Sequence, residues 1–527
     1  MNYRLLSRFL GIISLLIGGS MFFSLPFAFP IFQERTYLPP AEDFERGGAT
    51  GLATGIVVAI VGGSLMFFWG RRARVGSLYR KEAMAVVGLA WLLATVLGAM
   101  PYYFGGVRTT SLERPITFIE SMFESQSGFS TTGATVLTDL ETPALVPHCL
   151  LFWRSSTHFL GGLGIVVLFV AILGQGSAGK ALMRAEVPGP SKQGSQPRMQ
   201  HTALVFAAIY VGLNVILTVV YLIEGMSPFD ALCHAFGTMA TGGFSTYNAS
   251  HGRFDSGLID GTTILFMILA GSNFTLLYFA ITGDPGRLVR DVEFRTYLGI
   301  ILAVTAGIIV FGMRSGDDGF GGIGSSLRYG LFQVTSIITT TGYGTADFDR
   351  WNNFGRGSLL LLMFVGGCAG STGGGMKVIR HVLFWKILRA ECERTHRPRV
   401  VRQLRVGGVV VEDPSLVRNI LVYFSIVLAI FVFSWLLLVT FEPDSTWGAS
   451  ETWNGRNSPD QKLLDSASAV AATLNNIGPG LGVVGATQNY AGFSQPAKLM
   501  FTGLMVLGRV EVFSVLVLFF PRFWRRV

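Results

Sequence analysis

The sequence predicts an all-α polytopic membrane protein, in which four copies of a helix–pore loop–helix unit surround a central pore and two extra transmembrane helices precede them, about ten spans in all. Two observations predict it. Four eleven-residue frames each carry a half-apolar segment into a glycine-centred polar turn: FESQSGFSTTG ending at Gly133, CHAFGTMATGG at Gly243, FQVTSIITTTG at Gly342 and SAVAATLNNIG at Gly478. Each frame lies between two long apolar runs. Of the 527 residues, 50% are hydrophobic and 14% charged, with a mean hydropathy of +0.50, a balance suited to a bilayer and not to water. Non-helical backbone at membrane depth is tolerated where protein buries it or where it lines a watery cavity, so four such turns point to a shared passage.

Apolar stretches long enough to span a bilayer fall at Leu5–Phe32, Gly51–Trp69, Met84–Tyr103, Leu151–Leu173, Ala203–Leu222, Leu258–Ala280, Tyr297–Phe311, Leu359–Phe384, Ile420–Val439 and Leu499–Phe520. The seventh is short at its outer end and the eighth is interrupted by glycines. The first run is too long, and too weakly followed by a small-residue cleavage site, for a removable signal peptide, and is read as a helix. The expected divisions are a two-helix extension over 1–81 and pore repeats over 82–200, 201–294, 295–419 and 420–527. The third contains a glycine-rich loop and a basic segment.

Charge orients these spans. The N-terminus, the loops around Arg71–Lys81, Gly174–Gln200, Gly283–Arg295 and Lys377–Arg418, and the tail Arg522–Arg526 hold 27 of the 41 Lys and Arg. With Glu82 counted beside its loop, they hold 9 of the 32 acidic residues. The positive-inside rule makes those segments cytoplasmic, and ten spans place both termini there. The net +9 thus divides into +18 inside and, with Arg509 and Glu511 set aside in the last span, −9 (13 basic, 22 acidic) outside and in the pore segments. An acidic outer mouth concentrates cations. Nucleic acid is excluded as a partner, because the basic residues flank helices and form no aromatic-interleaved basic face. Cys149, Cys233, Cys368 and Cys392 have neither CxxC nor metal-ligand spacing and read as unpaired thiols.

A dehydrated potassium ion needs backbone carbonyls in place of water, and loops can aim them at one axis where glycine opens the backbone. Thr131-Thr132-Gly133, Thr241-Gly242-Gly243, Thr340-Thr341-Gly342-Tyr343-Gly344 and Asn476-Ile477-Gly478 supply such turns. Each preceding half-helix would end at its turn with the negative end of its dipole toward the ion. With 66 glycines in the chain, any one turn taken alone reads as helix packing. Four in matched frames, 110, 99 and 136 residues apart, do not. The third, TTGYG, is close to the potassium-channel filter signature.

TTGYG at Thr340–Gly344, NNIGPG at Asn475–Gly480, GGCAGSTGGGMKVIR at Gly366–Arg380 and LGRVEVFSVLVLF at Leu507–Phe519 resemble the Trk/Ktr/HKT superfamily, in particular its TrkH-like members, and the resemblance covers nearly the whole chain. It implies a potassium uptake pore in a bacterial plasma (inner) membrane, with K+ bound at the four turns, no covalent chemistry and no cofactor on this chain. Gly133 matches the potassium-permeable pattern of the family. Repeats two and four depart from TTGYG, so Rb+ and some Na+ are expected to pass. The resemblance further implies a homodimer with one pore per subunit, and a cytosolic TrkA-like partner that carries NAD or adenine nucleotide. It makes the loop of Gly366, Gly367, Gly370, Ser371, Thr372, Gly373, Gly374 and Gly375 an intramembrane gate, with Arg509 below the filter.

The residues support that gate independently. Six glycines in ten cannot hold a regular helix, each costing about 1 kcal/mol relative to alanine. The plainer reading is a close-packing glycine face, against which stand Ser371, Thr372 and the following Lys377. Arg509 in hydrocarbon costs at least about 2.5–3.5 kcal/mol and must meet a cavity or a partner; a structural hydrogen bond to loop carbonyls is the bland alternative. Its i, i+2 spacing to Glu511 puts the two on different helix faces. Glu120 and Glu124, at i, i+4 before the first turn, read as a solvated or vestibule-facing stripe and not as a glycosidase pair. Gly174–Lys180 fits GxxxxGK, but Ala181 stands where magnesium chemistry needs Ser or Thr, and the seven histidines show no HExxH or paired-ligand spacing. Two other classes remain: a sodium-coupled secondary solute transporter, whose breaks would pair across inverted halves, and a membrane enzyme, for which no nucleophile–base or metal constellation exists in the sequence.

Overall fold

Six helices of the computed structural model are long and apolar enough to cross a membrane: Tyr3–Ala28, Arg46–Gly70, Lys81–Phe104, Ala203–Ile223, Val292–Ser315 and Val417–Phe441. Residues 1–72, 80–109, 114–164, 199–397, 405–406, 409–410, 414–448, 459–510 and 512–525 are described. Of the other four predicted spans, three are broken and one runs beyond the described residues. The segment predicted as Leu258–Ala280 is not one rod: Gly257–Ala270 and Phe274–Ile281 meet at 106° across Gly271-Ser272-Asn273, with the Asn273 side chain capping the second piece through Thr275 N. The stretch Leu359–Phe384 divides into Asn353–Leu362 and Val378–His396, as its glycines require. The last span ends at Arg509 and resumes as the short helix Val512–Leu516; Glu511 lies outside the described residues. His148–Leu163 opens the fourth predicted span, whose continuation from residue 165, with the loop containing Lys180, is also outside them.

The seventh predicted span is longer than its apolar run. It begins at Val292 because Asp291 caps it, accepting from Phe294 N at 2.9 Å, and it stops where Gly316 turns left-handed at φ +69°. The first two helices pack backbone to backbone. A Cβ on Gly11 would come within 2.6 Å of the Gly63 carbonyl oxygen, so small residues set this contact as they commonly do between membrane helices.

All four half-helices exist, as Phe118–Phe129, Pro228–Met239, Ile323–Ile338 and Pro459–Leu474. The first starts with a reciprocal cap, Thr117 with Glu120, and the second with Ser227 followed by Pro228. The helix that closes each repeat leans on the next repeat's half-helix. His148–Leu163 packs on the second, Gly257–Ala270 on the third, and Gln495–Arg509 returns to the first. Leu359 and Leu362 share a core with Ala471, Ala472 and Ile477 of the fourth repeat, which completes the circuit.

Candidate functional site

Each half-helix ends in the same way. Thr132, Gly242, Thr341 and Ile477 donate their backbone N–H groups to Ser127, Gly237, Ser336 and Ala472, five residues back, at 2.8–2.9 Å. The residue before each donor is left-handed: Thr131 at φ +53°, Thr241 at +53°, Thr340 at +61° and Asn476 at +55°. This is a Schellman-type stop, usually built on glycine. Three of the four positions instead carry a β-branched threonine, a conformation that costs on the order of 1–3 kcal/mol and persists only where the surroundings enforce it. Gly133, Gly243, Gly342 and Gly478 follow at φ +76° to +95°.

The four turns close on one another. A Cβ on Gly133 would strike the carbonyl oxygen of Gly242, one on Gly243 that of Thr341, one on Gly342 that of Ile477, and one on Gly478 that of Thr132. Every contact links one repeat to the next and the fourth returns to the first, so the sequence-predicted turn residues form a single ring, with Gly133, Gly243 and Gly342 partly exposed and their flanking residues buried. Side chains lock it from behind. Asn476 Nδ2 donates to Thr132 Oγ1 at 2.9 Å, the Tyr343 hydroxyl to the carbonyl of His234 at 3.2 Å, and Tyr490 to that of Gly478 at 2.8 Å. Gly344 lies just beyond, its N–H on Ser250 Oγ at 3.2 Å.

The glycine-rich loop lies directly against this ring. Gly374 N donates to Thr340 Oγ1 at 2.8 Å, Thr372 Oγ1 meets Thr241 Oγ1 at 3.4 Å, and a Cβ on Gly374 would touch Asn476. The loop ends are clasped: Gly366 N donates to Met376 O and Val378 N to Gly367 O, while the Glu293 carboxylate accepts from Ala369 N at 2.7 Å and Ile379 N at 3.0 Å. The bend in repeat two supplies acceptors, since Cys368 N and Thr372 N donate to the carbonyls of Gly271 and Ala270. Gly370 turns at φ +74° beside Asn273, and Gly375 at +63° against Asn475. Arg509 donates to Thr372 O and Gly161 O at 2.5 Å, tying loop to first repeat, and its guanidinium faces Trp91.

With that geometry in place, the chain matches the TrkH family, described as cation transport protein, over residues 51–526. It is 34% identical to the Trk system potassium uptake protein TrkH of Salmonella typhimurium and 36% to that of Halomonas elongata, covering 100% of this chain and of each relative. The chain belongs to the TrkH family. The crystal structure of the potassium transporter TrkH from Vibrio parahaemolyticus superposes with a TM-score of 0.81 at 32% identity, over 100% of both chains. Membership fixes a multi-pass membrane protein of a cation-transport family whose relatives carry potassium transport in their names.

Several residues that hold this site were not singled out from the sequence, and one expectation about it is corrected. Glu120 and Glu124 are not a solvated stripe. They are 1% and 0% exposed, because the half-helix dips into the protein on all sides. Glu120 takes Arg114 at 2.6 Å and Lys498 at 2.7 Å. Glu124 takes Arg154 at 2.6 Å and accepts from Thr135 Oγ1 and Val136 N just beyond the first turn. Arg154 continues to the Ser245 carbonyl of the second repeat at 3.0 Å and covers the Phe244 ring. The rule that marked Arg509, a charge inside an apolar span, applies equally to Arg154. Frame alignment also holds a signal: Glu120, Asp230 and Asp465 each stand thirteen residues before their turn's last glycine. All three are buried.

Proposed function

We propose that the chain is the potassium-translocating pore of a bacterial uptake system, with the carbonyls and hydroxyls of Thr131–Gly133, Thr241–Gly243, Thr340–Gly344 and Asn476–Gly478 as its K+ filter. The observation that carries this reading is the closed ring, in which each glycine abuts the carbonyl of the next repeat. Such a ring supplies the neutral oxygens that replace a cation's hydration shell, and four half-helix C-termini add their negative dipole ends. A sodium-coupled solute transporter would pair its breaks across two inverted halves; a cyclic order of four turns supports the pore instead. Rb+ is carried as a close mimic of K+. Gly366–Gly375 is the gate, latched by Arg509, and the membrane is the bacterial inner membrane, with both termini cytoplasmic. The pore works as a homodimer under a cytosolic TrkA-like subunit that holds NAD or adenine nucleotide. The Trk-system names of the relatives support the setting of an uptake system with further subunits.

The test is ion flux in liposomes with purified protein. Gly→Ser at Gly133, Gly243, Gly342 or Gly478 is expected to change the K+ to Na+ permeability ratio, most at Gly342, where the added Cβ meets both Ile477 O and the Pro479 ring. Unchanged reversal potentials in all four variants would remove the filter from this ring.

A further inference from the structure

Three successive carbonyl oxygens of the glycine-rich loop are held by cations of the chain itself. Arg509 takes Thr372 O at 2.5 Å. Lys377 takes Gly373 O, and its ammonium lies 3.4 Å from Gly374 O and 3.5 Å from Ser371 Oγ. The two cations differ in what they can do. Arg509 comes from another helix and also grips Gly161 and Gly162, so it straps the loop to the first repeat. Lys377 follows the loop directly and bends back into it.

Lys377 is 1% exposed, and no salt bridge reaches it among the described residues. The neighbouring carboxylate, Glu293, is engaged by the N–H groups of Ala369 and Ile379. A buried charge survives only when hydrogen bonds replace its water, and here every ligand of the ammonium is a neutral oxygen. Neutral backbone oxygens are also the ligands by which a pore dehydrates potassium. These oxygens lie next to the ring of turns, because Gly374 N is bonded to Thr340 and Thr372 Oγ1 touches Thr241.

We propose that the carbonyls of Gly373 and Gly374, with Ser371 Oγ, form an inner monovalent-cation site, and that Lys377 keeps the pathway shut by filling that site with a tethered ammonium. Potassium entering from the filter then competes with a cation of the protein, and the gate opens when the loop withdraws lysine and carbonyls together. This inference rests on the reading of the four turns as the filter.

The experiment compares wild type with Lys377→Gln, Lys377→Met and Lys377→Arg at full length, in liposomes for Rb+ uptake and in detergent for the dependence of melting temperature on K+ concentration. Both neutral variants are expected to raise uptake about tenfold, and to add a second saturable K+ component to the melting curve. Lys377→Arg keeps the charge and is expected to stay at the wild-type rate. Wild-type uptake in Gln and Met, or equal acceleration in Arg, overturns the proposal. If neither neutral variant folds, crystals of the wild-type protein soaked in Rb+ decide: anomalous density at the Gly373 and Gly374 carbonyls with Lys377 still seated overturns it, and density confined to the filter supports it. Absence of Rb+ uptake by the wild type and by both folded neutral variants would remove the pore reading itself, a different result from a conducting wild type with an unresponsive Lys377.

Discussion

At the scale of single residues, Arg509 shows how an intramembrane charge is satisfied by backbone carbonyls. Its guanidinium satisfies three carbonyls on two separate segments, so truncation frees the loop from the first repeat without emptying a hydrophobic core. Arg509→Ala, or a shortened Gly366–Gly375, is expected to raise Rb+ uptake by the pore alone; folded variants that conduct no faster than wild type would make the loop packing and not gate. Asp349 belongs to the short turn Phe348–Arg350, outside the spanning helices, and it accepts from Gly482 N at 3.0 Å. Burial pushes its carboxyl up to about 7, opposed by that N–H and by Arg356 at 3.8 Å, and assisted by Asp347 and Asp465. A carboxyl raised on folding binds its proton more tightly in the native state. Its contribution to stability is therefore greatest below about pH 4, the unfolded value, and is lost as pH rises to about 7. Asp349→Asn should flatten the fall in melting temperature between pH 4 and pH 7 relative to wild type, measured in detergent at fixed K+. An identical slope in the two proteins would show that this carboxyl does not titrate in that window.

At the scale of elements, the half-helices and the segments that follow their turns are cross-braced differently in each repeat. Glu124, His234 and Gln333 occupy the same frame position on their half-helices and bond Thr135, Ser245 and Thr345 just past their turns, and Ser468 braces Leu481 in the fourth. Only the first of these four braces carries charge, and through Arg154 it extends to the second repeat. Removing one member of a buried ion pair costs about 3–5 kcal/mol, because the survivor is left uncompensated. Glu124→Gln keeps the shape and still accepts from Thr135, so it is expected to lower the melting temperature and also to change the K+ to Na+ permeability ratio. A lower melting point with an unchanged ratio would make the pair a structural tie and nothing more. The bend of repeat two belongs at this scale too, since the carbonyls it frees at Ala270 and Gly271 are the acceptors on which the glycine-rich loop rests. Two broken helices thus satisfy one another, the arrangement by which irregular backbone survives at membrane depth.

At the scale of the molecule, the N-terminal extension is part of the ring's scaffold. Arg35, 3% exposed, donates to the carbonyls of Leu140 and Thr246, beyond the first and second turns. Thr36 donates to Asp230 through both its backbone and its hydroxyl, and Tyr247 and Thr246 complete that carboxylate's shell. At the opposite end of the third repeat, Val378–His396 leads from the glycine-rich loop into the basic segment that ends at Arg418, of which residues 398–404, 407–408 and 411–413 lie outside the described ones. A regulatory subunit docked there would have a direct lever on the glycine-rich loop. Neutralising Arg397, Arg399, Arg402 and Arg405 should reduce co-purification of a TrkA-like partner and blunt the nucleotide dependence of flux. Equal recovery and unaltered dependence would leave those charges only the setting of topology and contact with anionic lipid.

The sequence by itself determined the repeat, the turns and the character of the solvent, because these depend on local facts: an eleven-residue frame, a glycine or threonine at a fixed offset, an apolar run of given length. It also marked Arg509 and the six-glycine loop, since a charge or a helix breaker inside an apolar run is conspicuous without any partner. What it left open depends on neighbours distant in the chain. Glu120 and Glu124 look like a solvated face until the helices of repeats one and four close over them and bring Arg154 and Lys498. Leu258–Ala280 reads as one apolar span, because Gly271-Ser272-Asn273 breaks it only where the loop from a hundred residues later can take the freed carbonyls. The closing of four turns into one ring, fourth onto first, is likewise a property of packing. Each turn encodes its own left-handed stop, but the carbonyl that excludes a side chain at each glycine belongs to the next repeat, and only the tertiary structure supplies it.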